Sequence, residues 1–111
     1  RLWENAAEAG SYLLNELRRL EERPYVGEVR GKGLMLLVEV VRDKATKEKF
    51  PPEFKLGPKL EAATRRRGVI VRCTPDGIIM APPLTITREE CDVLIEAVAG
   101  ALSDVLDREY A

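Results

Sequence analysis

Val26-Gly27-Glu28-Val29-Arg30-Gly31-Lys32-Gly33-Leu34-Met35-Leu36-Leu37-Val38-Glu39-Val40-Val41 is the stretch whose pattern fixes the kind of fold. Tyr25–Arg30 reads as a short strand. Gly31-Lys32-Gly33 follows as a turn or bulge, because glycines on both sides of one residue permit positive φ. Leu34–Val41 is then almost continuously apolar, the pattern of a strand lying centrally in a sheet and covered on both faces. The two strands are close enough in sequence for an antiparallel pair.

Downstream the arrangement repeats. Val69-Ile70-Val71-Arg72-Cys73 is a third strand, Thr74-Pro75-Asp76-Gly77 a turn in which Asp-Gly is a hairpin signal, and Ile78–Ala81 the return strand. Pro82-Pro83 stops it, since proline has no N–H for a ladder. Between the hairpins, residues 42–52 are charged and proline-ended, which reads as a solvated loop. Residues 56–67 form a helix with Pro58 in its first turn, Leu60 and Ala63 inward, and Gly68 as its stop.

The flanks are amphipathic helices. Trp3, Ala6, Gly10, Leu13, Leu17 and Leu20 recur at helical spacing, and Pro24 closes that segment. Gly10 lies on the apolar side, where a small residue permits close packing. Thr87-Arg88-Glu89-Glu90 fits a capping box, and Cys91, Leu94, Val98, Ala101, Leu102 and Val105 continue as an apolar stripe. The reading is one domain over residues 1–111: a helix at 1–23, a sheet-and-helix body at 25–84, and a helix at 87–108. The fold class is α+β, an antiparallel sheet packed with helices.

Composition removes several kinds of function. With 18 basic and 19 acidic residues, the net charge of −1 gives no long-range pull on nucleic acid or an anionic membrane. Arg65-Arg66-Arg67 at a helix C-terminus reads as a solvated face favoured by the helix dipole. No apolar run approaches the roughly 20 residues that span a bilayer. No histidine is present, which removes the commonest general base and zinc ligand, and no metal site is expected. Cys73 and Cys91 make no CxxC pattern; they read as small hydrophobes in a reducing, cytoplasmic setting, with a disulfide or a reactive thiol as alternatives. Arg1-Leu2-Trp3 already sits inside a helical pattern with no cap before it, so the expectation is a piece of a longer polypeptide.

Four segments carry a resemblance. Val26–Met35 resembles the VRGxGLM strand of the class III aminotransferases, and Gly68-Val69-Ile70-Val71-Arg72 resembles that family's GxxxR strand. Asp76–Thr87 resembles its GDxIxxAPPLxIT signature, and Asp43–Glu48 is similar to its DKATKE loop. The resemblance covers about residues 26–106, in family order, and is nearest to the ω-amino acid:pyruvate branch. One departure is Pro75-Asp76-Gly77 where the family often has Gly-Asp.

The resemblance implies the small C-terminal domain of a fold type I enzyme dependent on pyridoxal phosphate. Such an enzyme moves an amino group from an amine or ω-amino acid to pyruvate or another 2-oxo acid, usually as a homodimer. It implies a missing large domain holding the Schiff-base lysine, the phosphate-binding residues and the aspartate paired with the pyridine nitrogen. No residue of this chain is then catalytic, and the chain alone is expected to be inactive and to bind no cofactor. Arg72 is implied as the substrate-carboxylate ligand, a role that suits a planar guanidinium making two parallel hydrogen bonds. From the residues alone, Arg72 reads as a surface arginine that ends a strand and pairs with a neighbour; the resemblance turns that reading toward substrate binding. Arg30, Gly31 and Gly33 are expected to be structural, with Arg30 tying down loop carbonyls, and Pro82-Pro83 to set the chain direction toward the cleft. Trp3 and Leu17 read as core, or as surface that met the absent domain. Two other readings stay open: a free-standing α+β interaction or small-ligand regulatory domain, and a racemase, mutase or decarboxylase of the same family.

Overall fold

In the computed structural model, which describes residues 1–110, the glycine-bearing stretch forms a tight hairpin. Strand β1 (Val26–Lys32) pairs antiparallel with β2 (Met35–Val40), and Lys32 pairs with Met35, leaving Gly33-Leu34 as a two-residue loop. Gly33 has φ +60 and Leu34 does not share the sign, the pattern of a type II′ turn that matches strand twist. The bulge lies between Val26 and Val29, not at the glycines. Gly31 instead stays in the ladder opposite Leu36, where a Cβ would stand 2.5 Å from Leu36 Cδ2 and 3.2 Å from Leu14 Cδ1.

The second hairpin completes a four-stranded antiparallel sheet of order β1-β2-β4-β3, with β3 at Arg72–Thr74 and β4 at Gly77–Met80. The fold is the expected α+β. The third strand is shorter than its apolar run, for two reasons. The Val69 N–H is taken up in ending the preceding helix, donating to the Thr64 carbonyl. The register that pairs Arg72 with Ile79 would set Val71, Ile70 and Val69 against Met80, Ala81 and Pro82, so the ladder runs out toward a proline, which offers no N–H. The turn also differs. Its central residues are Pro75 and Asp76, since Thr74 pairs with Gly77, and a proline cannot take the positive φ of a primed turn. Gly77 belongs to β4, at φ +141, where a Cβ would fall 2.0 Å from the Val38 carbonyl oxygen.

Three helices cover one face of the sheet: α1 (Leu2–Arg18, continued by a 3-10 turn over Arg19–Glu22), α2 (Leu56–Arg66) and α3 (Arg88–Leu106). Helix α1 packs on β1 and β2, α2 on β3 and β4, and both on α3. Leu36, Val38, Val40 and Ile78 point into this core with Leu13, Leu17, Leu60 and Leu102. Gly10 is needed where α1 crosses the hairpin, since a Cβ there would lie 2.3 Å from the Gly33 oxygen. Gly68, at φ +81, ends α2: its N–H donates to Arg65 and that of Val69 to Thr64, a Schellman pair. Thr87 and Glu90 form the expected capping box at 2.9 and 3.1 Å. Trp3 is the exception on α1, 78% exposed where the helical stripe predicts an inward position, while Leu17 is fully buried.

The expectation that β2 is covered on both faces is overturned. Leu36 is 2% exposed and Val38 0%, but Met35 is 60% exposed, and Leu37 and Glu39 are only partly buried. All three helices lie on one side, so the opposite face of the sheet has no second layer.

Candidate functional site

Strand register puts four side chains in one row on the open face. Arg72 pairs with Ile79, Ile79 with Leu37, and Leu37 with Arg30. Side chains alternate across a strand, so this row faces away from the row built on Leu36, Val38 and Ile78. Strands about 4.8 Å apart set the two arginines at the sheet's edges about 14 Å apart at their Cα atoms. Between them lies an apolar floor of Leu37 and Ile79, extended by Met35.

Two depressions share that floor. One, of about 550 Å³, is bordered by Arg72, Pro82, Pro83, Glu90, Met35 and Ile79. The other, of about 380 Å³, is bordered by Arg30, Lys32, Leu37 and again Met35 and Ile79. They adjoin at Met35 and Ile79, and the first reaches Glu90 in the first turn of α3. Arg72 is exposed and makes no ion pair among the described residues. The structure therefore brings Arg72 together with Pro82 and Pro83. It sets Arg30 beside the other depression, 3.9 Å from Glu28 Oε1, where it faces outward and does not hold loop carbonyls as expected. Gly31 and Gly33 serve the packing of α1.

The floor residues Met35, Leu37 and Ile79 escape a sequence reading that takes β2 as buried throughout. One signal does mark them: Glu39, in the same alternating series, is a carboxylate that a buried face would not hold unpaired. Its partner is Lys49, at 3.2 Å, which also lies 3.8 Å from Asp76.

The rest of the surface offers little chemistry. Both thiols are free. Desolvation, helped by the nearby Glu61 carboxylate, pushes the Cys73 thiol up to about 12, so it is no nucleophile near neutrality. Burial raises the Cys91 thiol as well. Tyr12 donates to Asp92 and lies under Arg88, whose guanidinium carbon is 3.7 Å from the ring centre; this ties α1 to α3. Arg67 pairs with Asp104 at 3.0 Å across Gly100, and Arg65 and Arg66 are solvated. Among the described residues no group of His, Cys, Asp and Glu could hold a metal, and no helix is long and apolar enough to cross a membrane.

Pyridoxal phosphate needs a desolvated lysine for its imine and a carboxylate for its pyridine nitrogen. The lysines here do not fit. Lys32, Lys44, Lys47, Lys55 and Lys59 are exposed, and Lys49 is engaged by Glu39 and Asp76. The lysines of this chain do not supply the desolvated amine that the cofactor's imine requires.

The family model for class III aminotransferases matches residues 1–102. Among solved structures, a thermostable (S)-enantioselective omega-transaminase from Thermomicrobium roseum is 89% identical, with a TM-score of 0.95; the match covers 96% of this chain and 24% of that one. An omega transaminase from Pseudomonas jessenii is 33% identical at a TM-score of 0.89, again over 96% and 24%. Among curated proteins, the diaminobutyrate–2-oxoglutarate transaminase of Halomonas elongata is 41% identical over 113 residues, covering 96% of this chain and 24% of its own length. The chain thus spans about a quarter of the proteins it resembles.

Proposed function

The chain belongs to the class III aminotransferases, and from that premise we propose that it is the C-terminal small domain of an enzyme moving an amino group from an amine or ω-amino acid to pyruvate or another 2-oxo acid. Enzymes of this family depend on pyridoxal phosphate, which supplies the electron sink for the transfer. In this reading the large domain holds that cofactor and the present chain forms one wall of the substrate cleft. The chain by itself is then inactive and takes up no cofactor. The intact enzyme is a homodimer, and two free thiols suit a reducing cytoplasm.

The observation that carries the reading is the unpaired Arg72 guanidinium beside an apolar floor of Ile79 and Met35. A guanidinium so placed takes a substrate carboxylate by two parallel hydrogen bonds. The apolar neighbours keep water from the pair once a second wall closes over it, and the attraction strengthens as the local dielectric falls. Held at one end, the substrate presents its amino or oxo carbon in a fixed orientation. Arg72 opens a short edge strand and its stem is free of ion pairs, so it can swing aside for an amine without a carboxylate.

The test grafts this chain in place of the matching quarter of the Thermomicrobium roseum transaminase. The chimera is expected to transaminate. Arg72→Ala in it lowers kcat/KM for carboxylate-bearing substrates about 10–100-fold, the worth of a charged hydrogen-bond pair, and leaves amines lacking a carboxylate nearly unchanged. An equal loss on both substrate classes, or none on either, overturns the assignment of Arg72. An inactive but folded chimera overturns the function.

A further inference from the structure

Arg72 stands on the least supported strand of the sheet. Strand β3 is three residues long and lies at the edge, with a ladder on one side only. Successive residues of an antiparallel strand turn their backbone groups alternately into the ladder and away from it. On an edge strand the groups turned away are bare unless another element covers them. At Cys73, next to Arg72, helix α2 covers them. Glu61 Oε2 accepts a hydrogen bond from the Cys73 N–H at 3.3 Å. Gly57, four residues before Glu61 and so on the same face of α2, comes close enough that a Cβ would stand 3.1 Å from the Cys73 oxygen.

We propose that Glu61 is a positioning residue for substrate recognition: by holding the Cys73 N–H from α2 it fixes the edge strand that carries Arg72, and so sets where a substrate carboxylate is held. This inference rests on the reading of Arg72 as the substrate-carboxylate ligand.

The Glu61 carboxylate has no competing task. It is half-buried and makes no ion pair among the described residues. Its reach matters because the chain upstream of Arg72 is loose. Residues 69–71 lie outside the sheet, and the next tie is the Val69 N–H, which donates to the Thr64 carbonyl at 3.0 Å. Arg72 therefore lies between two anchors, Val69 and Cys73, both on α2. Side chains alternate, so the Cys73 thiol packs against the core while the Arg72 guanidinium stands on the open face. The backbone between them is what joins α2 to the guanidinium. Two parallel hydrogen bonds to a carboxylate demand a narrow range of orientations, and a misplacement of about 1 Å can cost about 100-fold in rate. The anchor holds the base of the side chain and leaves its stem free to swing. Glu61 thus acts on substrates that carry a carboxylate and not on amines that lack one.

The test uses the full-length chimera described above, with hydrogen exchange of the Cys73 amide read on peptides that span β3. Glu61→Ala is expected to raise KM for carboxylate-bearing substrates about 3–10-fold, with kcat and the kinetics of amines lacking a carboxylate within about twofold. It should speed exchange of the Cys73 amide about 10-fold, the worth of one hydrogen bond to a charged group. Glu61→Gln keeps an oxygen that accepts the same N–H, and should restore both readings to within about twofold of the parent. In an Arg72→Ala background Glu61→Ala should add nothing, since the two act as one unit. A loss equal on both substrate classes reduces Glu61 to a structural residue and overturns the inference. So do an unchanged KM, an unchanged exchange rate, or a further loss in the Arg72→Ala background. Glu61→Gln as impaired as Glu61→Ala overturns the hydrogen bond as the cause. If Arg72→Ala is selective for carboxylate substrates and Glu61→Ala is not, the positioning role falls and the reading of Arg72 stands. If Arg72→Ala is itself unselective, or the folded chimera is inactive, that reading fails and the positioning role with it.

Discussion

Strand β2 carries two sets of side chains that are nearly alike in composition and opposite in fate. Leu36, Val38 and Val40 lie at 0–2% exposure beneath three helices. Met35, Leu37 and Glu39, one residue out of step, face a side with no second layer. The closed face is a finished core. The open face mixes apolar side chains with two carboxylates, Glu39 and Glu28, and basic residues at its rim. The difference locates the core on one side of the sheet and the proposed substrate contact at Arg72 on the other.

Substitutions can break that division or sharpen it. The largest effect is expected at Gly77, where β4 passes the backbone of β2. Gly77→Ala would drive a Cβ to 2.0 Å from the Val38 oxygen at φ +141, and the chain should lose at least about 3 kcal/mol and its cooperative urea transition. A normal transition would mean that β4 can slide off β2, and the row of Arg30 and Arg72 would not be fixed. Leu36→Ala, on the closed face, should cost about 2–5 kcal/mol in urea unfolding, whereas its neighbour Met35→Ala should stay within about 0.5 kcal/mol. Equal losses at the two positions would erase the contrast between the faces. Tyr25→Phe removes a hydroxyl that donates to Asp107 at 2.6 Å and accepts from Arg23 at 3.1 Å, and should cost about 1–2 kcal/mol. Thr87→Ala should cost about 1 kcal/mol by uncapping α3, the helix that closes the core from behind.

The smallest effect is a pH dependence. Folding raises the Cys73 thiol from 9.0 to about 12. In that window the unfolded chain releases a proton that the folded chain keeps, so stability is full below pH 9 and falls as pH rises toward 12. Burial, with the hydrogen bond to Asp107, also raises Tyr25, which acts in the same direction. Cys73→Ala should flatten the alkaline decline of the melting temperature relative to the parent. Identical declines would mean that the thiol is solvated, and that the inner face of the β3 edge is as open as the outer.

Much of the architecture is legible residue by residue. The capping box at Thr87 and Glu90, the stop at Gly68 and the close approach at Gly10 all answer to local rules, and each appears where those rules put it. What fails does so where a distant element decides. Val69–Val71 has every propensity of a strand, but the Val69 N–H is spent on the end of α2 and its would-be partners run from Met80 through Ala81 to Pro82. Asp76-Gly77 has the composition of a hairpin turn, but Pro75 takes the corner and Gly77 is required by the Val38 carbonyl. Trp3 keeps the helical phase of a core residue but is exposed. Arg72 and Pro82-Pro83 are recognisable from family motifs. The floor of Met35, Leu37 and Ile79 is not, because it depends on register between strands far apart in sequence.

The amino-acid order alone determined that the chain is α+β, where its hairpins and helix ends fall, and which family it resembles. These follow from period, capping and turn chemistry, all of which act within a few residues. Only the tertiary structure decided that one face of the sheet is left bare and that Arg30 and Arg72 share a row on it. A strand's alternation says which side chains travel together, but whether a layer lies over them is set by elements elsewhere in the chain and by how their registers meet.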